Sequence, residues 1–85
     1  MEKINIYAVS DSLGETAEQV AKAVIRQFDI TDFDIKRVSY VNDKESIDNL
    51  IEKASKENSF IVFTLVVEEL RDYLTDKALE YNIGA

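Results

Sequence analysis

Eighty-five residues, 46% hydrophobic and 32% charged, make one small domain that buries about 60 to 65% of the surface its unfolded chain would expose, a mix that excludes a disordered chain. A formal net charge of −7 with no clustered basic run argues against docking on nucleic acid or an anionic membrane. With no cysteine and no histidine, the chain has no disulfide, thiolate nucleophile, zinc–cysteine site, imidazole base or histidine triad, so any chemistry falls to Asp, Glu, Ser, Thr, Lys, Arg and Tyr.

Ile4 to Val9 reads as a first strand, and the stretch Ala8-Val9-Ser10-Asp11-Ser12-Leu13-Gly14-Glu15-Thr16-Ala17 then passes from apolar strand through a small polar loop into a helix. Strand, tight loop and helix is an anion-binding layout, because the unpaired N–H groups of the helix start point back to the loop. The same residues fit a second description, in which Ser12 and Glu15 form a capping box and satisfy each other's backbone donors. Asp11 and Glu15 place negative charge beside any bound phosphate, which therefore needs a cation, or a Lys or Arg from elsewhere.

Ala17, Val20, Ala21, Val24, Ile25 and Phe28 repeat at helical spacing, and Asp29 to Asp32 forms the return loop. Phe33 to Tyr40 alternates and carries Lys36-Arg37 in its middle, which suits an edge strand with a wet face. The second helix follows Val41 to Lys44, with Asn42 or Asp43 as N-cap and Ile47, Leu50, Ile51 and Ala54 as its buried stripe. From Ser59, Phe60 to Val66 is apolar on both faces, the mark of a covered parallel strand. A last helix starts near Glu68 and packs through Leu70, Tyr73, Leu74, Ala78 and Tyr81.

The order β-α-β-α-β-α predicts an α/β domain with helices on both faces of a parallel sheet and right-handed crossovers. A 2-1-3 strand order leaves the charged second strand at an edge. That order gives the apolar third strand an open side, so a fourth strand beyond Ala85, or a second copy of the chain, is expected beside it. The lack of an apolar run near about 18 residues and of a signal-peptide pattern makes the chain read as cytoplasmic.

Gly14 and Gly84 are the only glycines, which excludes the dinucleotide and Walker-type glycine fingerprints. In a parallel sheet the loops Ser10 to Gly14, Val41 to Lys44 and Thr64 to Glu68 share one edge and converge on a ligand. The candidate ligand-binding residues are therefore Ser10, Asp11, Ser12, Gly14, Glu15, Thr16 and Thr64. Glu68 and Glu69 suit the helix dipole better than a metal, and Tyr7 and Tyr40 suit core or rim packing better than base stacking. No catalytic and no metal-ligating residue is assigned within the chain.

Val9-Ser10-Asp11-Ser12, Gly14-Glu15-Thr16-Ala17, Thr64-Leu65-Val66 and Glu69-Leu70-Arg71 resemble the amino-terminal part of the pyruvate, phosphate dikinase regulatory proteins, also called phosphoenolpyruvate synthase regulatory proteins. Leu13 departs from the pattern, since the family usually carries threonine there. The resemblance covers essentially the whole chain and implies residues 1–85 to be a Rossmann-like amino-terminal domain. It further implies a bifunctional ADP-dependent serine/threonine kinase and phosphate-dependent phosphorylase that uses ADP or ATP, phosphate and Mg²⁺, with pyruvate, phosphate dikinase or phosphoenolpyruvate synthase as protein substrate. The family's phosphate loop belongs to a later domain of a longer chain, so the fragment alone is expected to be inactive and to hold no cofactor. The alternative is a non-catalytic ligand-binding or dimerisation module, whereas a receiver-like domain is disfavoured by the lack of a phosphoacceptor aspartate at the end of the third strand.

Overall fold

The computed structural model describes residues 3–85. Three strands and three helices alternate: β1 (Ile4–Ser10), α1 (Glu15–Gln27), β2 (Phe33–Val38), α2 (Lys44–Ser55), β3 (Ser59–Thr64) and α3 (Glu68–Glu80). The strands pair in parallel in the order β2-β1-β3. The two-residue period of β1 divides the core. Tyr7 and Val9 face α2 and α3, where Ile47, Leu50, Ile51, Leu70, Leu74 and Ala78 close over them together with Ile61. Ile6 and Ala8 face α1, which buries Ala17, Ala21 and Ile25 against them and Val62. Since β1 to β2 steps one way with α1 on one face, and β2 to β3 steps back with α2 on the other, both crossovers share one hand, as right-handed crossover units require.

The expected 2-1-3 order holds because β2 is too charged for the middle. Lys36 and Arg37 reach out from this edge strand to Glu57 and Glu18. On the open side of β3, Gly84 forms a parallel bridge with Phe60, and the Ile61 N–H donates to the Gly84 carbonyl at 2.7 Å. A Cβ on Gly84 would lie 2.7 Å from the Phe60 ring, so the close approach needs glycine.

Several side chains depart from the helical and strand patterns. Val20 and Phe28 are exposed, because the Ala17, Ala21, Ile25 stripe turns Val20 to the flank and Phe28 lies at the C-cap of α1. The last strand stops at Thr64, which leaves Val66 in a loop and exposed rather than covered. Tyr81 is the C-cap of α3 and half-exposed; Asn82 then reverses the chain at a φ of 57°, and Ile83 takes the buried position instead.

Candidate functional site

All three strands point their carboxyl ends to one edge, so the loops after β1, β2 and β3 meet there. Ser10 ends β1, paired in register with Thr64 at the end of β3. Ser10 is buried; its hydroxyl accepts from the Ser12 N–H at 3.0 Å and contacts the Ser12 hydroxyl at 3.1 Å. This local turn recruits Ser12 away from α1. The capping box is therefore not formed. The N-cap is Gly14, at a φ of 96°, and no side chain caps the helix. The left-handed geometry explains the glycine, since an added Cβ would also stand 3.0 Å from Arg37 Cγ. The first-turn amides of α1 are consequently left without a side-chain acceptor, which is the condition for holding an anion or water.

Asp11 bridges to the neighbouring loop, where its carboxylate accepts from the Val66 N–H at 2.8 Å. That bond spans the gap between β1 and β3, on either side of which the chain crosses to opposite faces of the sheet. An open crevice of about 520 Å³ lies there, lined by Asp11, Ser12, Thr16, Thr64 and Arg71 along with Leu65 and Val66. Arg71, one turn into α3, forms no ion pair among the described residues. It is the cation that the acidic loop lacks. Gly14 and Glu15 instead line a neighbouring hollow of about 300 Å³, with Leu13, Tyr40, Ser12 and Thr16. The predicted residues thus fall into two adjoining groups, with Ser12 and Thr16 common to both and Ser10 beneath them as a scaffold.

Two contributors lie outside the predicted set. Arg71 carries a sequence signal, because the first turn of the helix after β3 must share the edge with the β3 loop. Tyr40 carries none. It stands exposed with a φ of 58°, a left-handed conformation rare for an aromatic residue, and its N–H donates to the Ser12 carbonyl at 2.9 Å. Among the described residues no group of three or more acidic, histidine or cysteine side chains is placed to hold a metal ion, and no helix is long and apolar enough to cross a membrane.

A three-layer parallel α/β domain with a crevice at the point where its strand order reverses has the doubly wound architecture. Comparison with known proteins narrows that class: the family model described as kinase/pyrophosphorylase matches residues 6–85, and the chain belongs to this family. It is 54% identical over 82 residues to a pyruvate, phosphate dikinase regulatory protein of Alkaliphilus metalliredigens, covering 96% of this chain and 30% of that protein. Proteins of the same name from Alkaliphilus oremlandii, at 49% identity over 98% of this chain and 31% of theirs, and Desulfitobacterium hafniense, at 47% over 92% and 29%, are similar in the same way. The chain therefore spans about 30% of the length of the relatives it matches.

Proposed function

We propose that this chain is the amino-terminal Rossmann-like domain of a bifunctional regulatory enzyme, a serine/threonine kinase and phosphorylase that acts on pyruvate, phosphate dikinase or phosphoenolpyruvate synthase in the cytoplasm. Within it, the crevice between β1 and β3 binds an anionic group, either inorganic phosphate or a phosphate of ADP. The observation that carries this reading is the meeting of Arg71, which has no ion-pair partner among the described residues, with the hydroxyl residues Ser12, Thr16 and Thr64 and the start of α1, which no side chain caps. Arg71 offsets the charge that Asp11 would set against an anion, and Asp11 is itself engaged with the Val66 amide. Phosphoryl transfer needs a phosphate cradle and charge stabilisation at the reacting centre. Those belong to the remainder of the longer polypeptide, so the 85 residues bind without turning over.

The family membership and the names of the relatives support the regulatory reading. The test is a titration of the 15N-labelled chain with phosphate and with ADP. Amide shifts concentrated at residues 10–16 and 64–71 are expected at millimolar ligand. Shifts that are absent, or that spread evenly over the chain, would remove the ligand-binding role.

A further inference from the structure

Large apolar side chains stand exposed in every loop at the carboxyl edge of the sheet: Leu13 at 52%, Tyr40 at 61%, and Val66 at 81% with Val67 beside it. Loose loops do not account for this, since each is fastened. The Leu13 carbonyl accepts from the Ser39 hydroxyl, the Tyr40 N–H is held by Ser12, and the Val66 N–H by Asp11. Tyr40 is presented at the cost of a left-handed backbone and returns no core packing. An apolar patch with a polar rim marks a surface that binds another protein surface. The rim carries Asp11, Glu15, Glu68 and Glu69 against Arg71 and Lys44, the last paired with Glu69, and the net negative charge that remains sets two copies of the chain against each other and favours a partner with basic residues.

The chain also shows how such a partner arrives. Gly84 runs parallel to β3 beside Phe60, so the polypeptide at residue 84 is directed along the sheet toward its carboxyl edge. The matched relatives carry more than twice as much chain again outside the matched region. We propose that this edge is the docking face for the following unit of the longer polypeptide, and that the crevice is a shared site closed between the two units. The inference rests on reading the chain as the amino-terminal part of such a protein. It adds that Leu13, Tyr40, Val66 and Val67 form the apolar contact, with an acidic rim that meets basic residues of the second unit.

The absence of cysteine allows a direct test. Tyr40→Cys, Val66→Cys and, as a reference on the far side, Lys56→Cys would be made in the 85-residue chain and in a chimera that joins it to the remainder of the Alkaliphilus metalliredigens relative. Thiol labelling rates are read by mass spectrometry of the tagged peptide. The first two probes should label about tenfold or more slowly in the chimera, as for groups reached only through opening of a docked face, while the reference keeps its rate. Amide exchange on the intact Alkaliphilus protein, compared with its own matched segment, should show protection in the same three loops. Equal rates at Tyr40→Cys and Val66→Cys in both forms, with no added amide protection, would overturn the proposal. So would labelling of the 85-residue chain that slows with its own concentration, which would make a second copy the occupant. Labelling is read without ligand, so failure of phosphate binding would remove the crevice reading and leave the docking result standing.

Discussion

Gly14 and Tyr40 both occupy left-handed backbone, for opposite reasons. At Gly14 the conformation turns β1 into α1 and any side chain would crowd Arg37; Gly14→Ala should therefore cost about 1 to 3 kcal/mol in urea denaturation. At Tyr40 the ring is exposed and the conformation is costly, so Tyr40→Gly should leave stability unchanged or raise it by up to about 1 kcal/mol. A loss larger than that would mean that the ring packs within the domain after all. Tyr7 is the counterpart in the core: burial and then a hydrogen bond to Glu57 push its hydroxyl up to about 12 from an ordinary 10.0. The folded state holds this proton more tightly than the unfolded state. The corresponding stability is complete below pH 10 and is lost as pH rises toward 12. Comparing urea midpoints from pH 9 to 12, Tyr7→Phe should show the shallower decline.

Among the elements, only α2 begins with a side-chain cap, while α1 and α3 start at Gly14 and Val67 without one. Asp43 caps α2 by accepting from the Ser46 N–H at 2.8 Å. Hydrogen bonds from Ser46, side chain and backbone, hold its carboxyl below the ordinary 3.8. Because the folded state favours the ionised form, this contribution is present above pH 3.8 and is lost as pH falls through the lowered value. Asp43→Ala should cost about 1 kcal/mol at neutral pH and progressively less in acid, measured by urea denaturation across pH 2 to 7. α1, by contrast, begins at Gly14 with no side-chain cap.

That contrast bears on what the sequence alone discloses. The strands and helices were legible because periods of two and 3.6 are easily separated, and the 2-1-3 order because Lys36 and Arg37 suit only an edge. The cap of α2 is legible to within one residue, Asn42 or Asp43, and the structure resolves it to Asp43, whose carboxylate meets the Ser46 N–H three residues on. At α1 the same logic pointed to Ser12, but the Ser10 hydroxyl two residues earlier competes for it, a contact that depends on how β1 ends. Arg71 falls outside the predicted set because the loop after β3 is taken to end at Glu68, whereas the side chain that lines the crevice lies one turn into α3. Tyr40 was missed because nothing in its residue type announces a left-handed backbone.

For the molecule as a whole, a net charge of −7 opposes anions everywhere except where a cation is placed, so specific binding should depend on Arg71 alone among the crevice residues for its favourable charge. A ligand that binds the native state raises its stability according to concentration over Kd. The most direct measurement is the thermal unfolding midpoint of the chain and of Arg71→Ala in increasing phosphate, with chloride at equal ionic strength as reference. A midpoint that rises with millimolar phosphate in the parent chain and not in Arg71→Ala is the predicted result. Equal responses of the two proteins, or none in either, would contradict an anion site between β1 and β3.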